Sequence, residues 1–262
     1  MNIATRIKER RWSPSGNVMV SYSVLSLIGG ASLLAGAAGV YHATYSVRSQ
    51  WLGRTDWSGR RDIQAVALTF DDGPGPDTQR ILDVLAQHEV CATFFMIGCH
   101  AERFPETARL IVAGGHAVGN HSYSHPIYLY RTARETRRQL ELAQQAIATT
   151  TGVTPNLARP PCGVRTRAYF REARRLGLRT VQWDVAGFDW KRRTSGEIAG
   201  DVLRRVRSGS IVLLHDGDSE RKHDRRETVA ALPLIIDGLR SHGLRIVPLT
   251  ELLGEKEVKL AA

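Results

Sequence analysis

From residue 63 onward the chain predicts an α/β fold, a parallel sheet with helices outside it. Strand-like apolar runs alternate regularly with helix-patterned segments along this stretch, the pattern of parallel strands joined by helical crossovers. Residues with chemical capability fall at or just after the ends of the apolar runs: Asp71, Asp72, Asp184 and His215. Strand C-terminal ends are where a parallel barrel collects its catalytic groups. Before residue 63 the chain has another character, because residues 13–47 contain no Asp, Glu, Lys or Arg.

The elements follow in order. Residues 63–70 are an apolar run closed by Asp-Asp-Gly-Pro, a strand ending in a turn. Residues 77–88 carry Ile81, Leu82, Val84 and Leu85 at helical spacing, and 92–97 form the next strand. A helix over 104–114 stops at Gly114-Gly115, and 117–120 is a short strand. Residues 131–150 are a long polar helix whose core side includes Leu140 and Ile147. A helix over 167–176 closes at Gly177, and a strand over 179–184 follows. Helix 195–206, strand 210–214, helix 228–242 and strand 245–248 complete the series. An open doubly wound sheet and a closed or partly closed barrel both fit this pattern.

The most apolar part of the N-terminal region, residues 18–40, is about the ~20 residues that span a bilayer core as a helix. Arg6, Lys8, Arg10 and Arg11 precede it and favour a cytoplasmic N-terminus. Arg48, Arg54, Arg60 and Arg61 on the far side weaken that asymmetry, but a long following domain is translocated regardless. An uncleaved signal anchor is one reading. A signal peptide cleaved near Ala35-Gly36-Ala37 is the other main one, with a buried helix of a soluble domain as a third alternative to both. Either puts the catalytic part outside the cytoplasm, at the cell membrane or secreted. The organisation expected is a basic tail (1–17), a transmembrane helix (18–40), a polar linker (41–62), one α/β domain (63–253, the extent of the resemblance given below) and a C-terminal tail (254–262).

The formal net charge is +10, mostly from Arg. The arginines are scattered through helical segments, and no nucleic-acid-binding fingerprint accompanies them. Solvated helix faces, or attraction to anionic lipid or cell-wall polymer, fit better than a nucleic-acid partner. The three cysteines form no C-x-x-C pair, and their odd number argues against a disulfide framework. Cys91, in an apolar run, is expected to be buried. Oligomeric state is left open.

Five strings carry chemistry. In Thr69-Phe70-Asp71-Asp72-Gly73-Pro74 the turn breaks strand alternation, so two adjacent carboxylates can share one pocket as metal ligand and base. His121-Ser122-Tyr123-Ser124-His125-Pro126 offers two imidazoles that can meet one metal where the backbone turns. Pro126 disfavours a helical His125, which places the pair in a loop or at a helix end. Arg159-Pro160-Pro161-Cys162-Gly163 is a rigid loop whose arginine could hold a carboxylate. Phe188-Asp189-Trp190 follows one strand, and Leu213-Leu214-His215-Asp216 ends another. A histidine there can serve as general acid or base.

In order, these strings closely resemble the polysaccharide deacetylase family, carbohydrate esterase family 4, whose domain is also called the NodB homology domain. The resemblance covers about residues 63–253. It implies a distorted, incomplete (β/α) barrel and metal-dependent removal of acetyl groups from sugars. It makes Asp72, His121 and His125 the ligands of a divalent metal, Zn²⁺ first and Co²⁺ among the others. It makes Asp71 the general base, oriented by Arg159, and His215 the acid that protonates the leaving amine, tuned by Asp189. It places Pro161 and Cys162 in the loop whose backbone N–H holds the oxyanion. Leu213 lines the acetyl pocket, and Trp190 flanks the sugar. The family usually carries an aromatic at the position of Cys162, so sugar contact is in doubt there. The implied substrates are N-acetylglucosamine-containing glycans: peptidoglycan, chitin oligosaccharide or exopolysaccharide. A deformylase acting on a lipid-linked sugar and an inactive carbohydrate-binding relative are the rivals. His88, His100, His116, His223 and His242 fall outside the strings and are expected at the surface or in packing.

Overall fold

The structure is a computed structural model of the 262-residue chain; it describes residues 17–220 and 222–254, with side chains from residue 26. The chain divides into two compact units, Met1–His42 and Ala43–Ala262. Helix α1 (Asn17–Tyr45) contains the expected span 18–40. Among the described residues no helix is long and apolar enough to cross a membrane. The side chains of residues 18–25, a third of that span, lie outside the description, as do residues 1–16 and 255–262 of the two expected tails.

Strand β1 (Ala65–Asp71) leads through helix α2 (Thr78–Gln87) to β2 (Thr93–Met96). Helices α3 (Gly98–Arg103) and α4 (Pro105–Ala113) precede β3 (Ala117–Asn120). Then come α5 (Ala133–Thr151), β4 (Leu157–Ala158), α6 (Arg167–Arg175) and β5 (Arg179–Thr180). Strand β6 (Val185–Ala186), α7 (Ser195–Leu203), β7 (Ile211–His215), α8 (Arg226–Ser241), β8 (Arg245–Ile246) and α9 (Leu249–Leu252) follow. Local chemistry sets several boundaries. Helices α5 and α7 each open on a Thr-x-x-Glu capping box, Thr132/Glu135 and Thr194/Glu197. The helix expected over 104–114 begins only at Pro105, which suits the first helical position and pushes Phe104 out of the helical region.

The strands form one parallel sheet in the order β5-β4-β3-β2-β1-β7-β6, with β8 paired to the start of β1. The single strand expected over 179–184 is in fact two: β5 and β6 are the opposite ends of the sheet. Residues 181–184 cross between those ends, so the barrel is incomplete.

Alternation along β1 positions the site. Val66, Leu68 and Phe70 enter a core with Ile81, Leu85, Ile111, Ile198, Leu232 and Ile235 beneath the helices. Ala65 and Ala67 enter a second core with Phe95, Leu157, Val181, Ile211 and Leu249. Thr69 and Asp71 share the parity of that second face. Each fully buried apolar side chain contributes roughly 1.5–3 kcal/mol, so the register that aims Asp71 inward is fixed by its neighbours.

Residues 46–62, expected as a linker, hydrogen-bond to the domain. Asp56 bridges Val181, and the Arg60 N–H donates to Leu252 O at 3.0 Å. Cys91 is partly exposed rather than buried, and no disulfide joins Cys91, Cys99 and Cys162.

Candidate active site

Asp71 and His215 are opposite one another in the β1–β7 register, at the C-terminal ends of both strands. Around them lies a cavity of about 490 Å³. Asp71, Asp72, His121, His125, Cys162, Trp190, Leu213 and His215 all line it. Pro161 does not; it is buried in the turn behind Cys162.

Asp71 is held from within the sheet. Arg159 Nη1 donates to Asp71 Oδ1 at 2.7 Å and to Thr69 Oγ1 at 2.8 Å, and Nη2 donates to the Gln182 carbonyl at 3.1 Å. The guanidinium lies 4.1 Å from the Phe95 ring centroid, so a planar cation is stacked as well as bonded. Burial lowers the Arg159 pKa, and the Asp71 charge opposes that shift.

Asp72 leaves the strand geometry, with φ +73°. Its carbonyl accepts a hydrogen bond from His100 Nδ1 at 2.7 Å. His100 is thus a buried support of the site, not a bystander. Gly73 follows because a Cβ there would come within 1.8 Å of the Asp216 carboxylate. Asp216 is buried and accepts from Thr78 Oγ1 at 2.7 Å. Burial, offset by that bond and reinforced by Asp72, pushes its carboxyl up to about 7.

The two histidines arrive from the loop after β3, where Ser122 and His125 have φ +65° and +58°. His125 Nε2 lies 3.2 Å and His121 Nε2 3.4 Å from Asp72 Oδ1. His121 Nδ1 is 2.8 Å from the Arg159 carbonyl, which fixes the tautomer and leaves Nε2 facing the carboxylates. Burial works against ionising Asp72, but contact with His121 and the charges of His125, His215 and His121 hold its carboxyl well below the usual range. Burial pushes His125 down to about 4, a neutral imidazole with a lone pair. For His121 burial is outweighed by Asp71 and Asp72, which raise its pKa.

These observations test the fit of a metal. One ligand atom each from Asp72, His121 and His125 lie within 4.8 Å of one another. Asp72 Oδ1 is buried without a hydrogen-bond partner. An orphaned carboxylate oxygen facing two imidazole nitrogens is a donor set for a cation, and three ligands leave positions open for water and substrate. The residues fit a divalent metal.

On the other wall His215 Nδ1 is 2.8 Å from Asp189 Oδ1. Asp189 Oδ2 accepts from the His215 N–H at 2.7 Å and from Thr228 Oγ1 at 2.9 Å. Burial opposes protonation of His215, but Asp189, then Asp72 and Asp71, raise it to about 9. With Nδ1 engaged, the proton offered to a substrate is on Nε2. Trp190 stands edge-on to His215, with ring centroids 5.3 Å apart, and is 43% exposed, an indole able to meet a sugar face. Cys162 holds φ +54° at the rim. Desolvation of its sulfur, then the charges of Asp72 and Asp71, raise its pKa and keep it a thiol, a poor nucleophile.

The sequence strings give Thr69 no role and do not contain Gln182, Thr228, His100 or the cavity residues Trp183, Asp218, Glu220, His223 and Arg225. Thr69 alone had a signal, two residues before Asp71 on the same strand face.

An incomplete parallel barrel with an Asp-His-His cluster and an opposed imidazole at its strand ends defines a class of α/β hydrolases. The family described as polysaccharide deacetylase matches residues 58–181. A chitooligosaccharide deacetylase of Bradyrhizobium sp. (strain ANU 289) is 40% identical over 198 residues, 72% of this chain and 90% of that protein. PgdA, a peptidoglycan-N-acetylglucosamine deacetylase of Listeria monocytogenes, is 36% identical over 73% of this chain, which spans only 39% of PgdA. The solved structure of the Bc1960 peptidoglycan N-acetylglucosamine deacetylase superposes with a TM-score of 0.72 at 35% identity, covering 77% of this chain and 94% of that one. The chain belongs to the polysaccharide deacetylase family and is a polysaccharide N-deacetylase.

Proposed function

We propose that this protein is a metal-dependent hydrolase that removes N-acetyl groups from N-acetylglucosamine-containing glycans, of peptidoglycan, chitin-oligosaccharide or exopolysaccharide type. The observation that carries this reading is the opposition, across one cavity, of the Arg159-held Asp71 and the Asp189-backed His215, with Asp72, His121 and His125 between them.

Asp72, His121 and His125 would hold the metal, and a carboxylate with two imidazoles suits Zn²⁺. Such an ion, when bound, lowers the pKa of water and polarises a carbonyl oxygen. Asp71 takes the proton of the attacking water, and Arg159 keeps its carboxylate aimed inward. The Cys162 N–H donates to the developing oxyanion. His215 delivers its Nε2 proton to the sugar nitrogen, without which the amine is a very poor leaving group. Asp189 holds the tautomer that puts the proton there. Leu213 packs on the acetyl methyl, and Trp190 covers the sugar ring.

The charge-free residues 13–47 support a location for this chemistry outside the cytoplasm, with α1 as anchor or as cleaved leader. A reporter fused after Ala262 is expected to signal only outside; a cytoplasmic signal contradicts the topology. For activity, metal-loaded protein is expected to release acetate from N-acetylglucosamine oligomers and to stop on chelation. Formate release from a formylated sugar would replace the substrate reading. Binding without hydrolysis of any acylated sugar would make the protein a carbohydrate binder.

A further inference from the structure

Among the described residues three arginines are buried: Arg159, Arg165 and Arg225. Arg159 faces Asp71, and Arg225 faces Asp218. Among the described residues no carboxylate pairs with Arg165, although its side chain is completely enclosed. Desolvation pushes Arg165 down to about 10, which leaves it a cation at neutral pH. A buried cation without a counter-charge is costly unless dipoles surround it.

Backbone carbonyls supply those dipoles, and they come from two places. Arg165 Nη1 donates to Gly163 O at 2.8 Å and to Thr44 O at 3.4 Å. Nη2 donates to Ser46 O and, at 3.3 Å, to Ser49 O, and the Arg165 N–H donates to Thr44 O at 3.3 Å. Thr44 lies in the last turn of α1, where exposed carbonyls favour a cation. Gly163 belongs to the turn 161–163, whose Cys162 lines the active site.

The contacts continue inward. Gly163 O also accepts from Gln182 Nε2 at 3.0 Å. The Gln182 carbonyl accepts from Arg159 Nη2 at 3.1 Å, and Arg159 Nη1 reaches Asp71 at 2.7 Å. A connected set of hydrogen bonds thus runs from residues 44–49 to Asp71. Its middle, the turn 161–163, needs external support. Cys162, which carries a Cβ, holds φ +54°, and a Cβ on Gly163 would come within 2.9 Å of Trp183. Such a backbone persists only where its surroundings hold it.

We infer that residues 44–49, which precede the catalytic domain in sequence, are a working part of the catalytic centre, and that Arg165 is the positioning residue that ties them to the turn 161–163 and, through Gln182 and Arg159, to Asp71. The link to catalysis rests on the functional reading above; the clamp itself stands on geometry alone. Loss of the clamp displaces the turn and the base from the reacting atoms while leaving the metal ligands in place. Small displacements of this kind cost roughly tenfold to a hundredfold in rate.

The test uses the full chain with Arg165→Met, Arg165→Lys and a Gly-Gly insertion between Val47 and Arg48. Hydrogen–deuterium exchange is read at residues 44–49 and 162–165, with kcat, KM and metal content measured on N-acetylglucosamine oligomers. Arg165→Met is expected to speed exchange in both segments together and to lower kcat about tenfold or more, with KM within twofold and metal content unchanged. Arg165→Lys, which keeps the charge, is expected between Arg165→Met and wild type. If Arg165→Met does not fold, the insertion reports the same loss, since it moves the carbonyls and keeps the cation. With both changes together the loss is no greater than with either alone. Unchanged exchange in 162–165 overturns the clamp. Faster exchange with kcat within twofold of wild type, or losses that multiply in the double variant, overturns its catalytic role. An inactive wild type defeats the functional reading and with it the catalytic role, while exchange still decides the clamp.

Discussion

On one wall of the cavity Asp72, His125 and Cys162, with buried Ser122 in the loop that carries His125, all hold positive φ angles, between 54° and 73°. On the other, Leu213 and His215 continue a regular strand paired to β1, and among the described residues Phe188, in the loop before Asp189, is the one such residue. The two walls differ in completeness as well. The Asp189–His215 pair is satisfied within the protein by Thr228 and backbone, whereas Asp72 Oδ1 is buried with no hydrogen-bond partner. Backbone strain of about 1–3 kcal/mol per residue is thus concentrated where the chain gathers three ligands from two separate segments around one point. The acid wall is complete as folded, and the other wall, that of the metal ligands, keeps one buried carboxylate oxygen without a hydrogen-bond partner.

The largest expected effect breaks the metal wall. His121→Ala removes a ligand, so metal content falls to background by elemental analysis and activity falls with it. Next, Asp71→Asn keeps the metal and lowers kcat about 10²–10⁴-fold, the scale of general acid–base catalysis; equal metal loss in both variants would merge the two roles.

The acid wall is tested by pH. His215 is raised from its ordinary 6.5 to about 9, so the protonated acid persists through neutral pH and activity falls as pH rises through about 9. By linkage the stabilisation from this raised histidine is complete below 6.5 and is lost as pH rises through about 9. Asp189→Asn removes the main cause of the raise, so the alkaline limb of the pH–rate profile is expected at lower pH. A limb that stays put would show that Asp189 does not tune His215. The smallest effect is Thr228→Val, which removes one hydrogen bond to Asp189. It is expected to cost about 1 kcal/mol, roughly fivefold in kcat, with metal content unchanged.

The legible part of this site consists of residues whose neighbours in sequence are also neighbours in space. Asp71 and Asp72 end an apolar run, His121 and His125 flank one loop, and His215 ends a strand; each carries its context with it. Arg165, Gln182 and Thr228 act through contacts to carbonyls and carboxylates far away in the chain, and no spacing announces them. The gap between β5 and β6 was hidden for a similar reason, since residues 179–184 read as a continuous strand and only the sheet order shows that residues 181–184 cross its open side. Residues 46–62 are polar enough to look like a linker, and what fixes them is backbone hydrogen bonding, which composition does not encode.

Separation of the metal ligands from the proton-carrying groups is tested most directly by calorimetric titration of Zn²⁺ into chelator-stripped wild type, Asp71→Asn, His215→Ala and His121→Ala. One equivalent of similar affinity is expected in the first three and none in His121→Ala. Loss of binding in His215→Ala, or undiminished binding in His121→Ala, would contradict it.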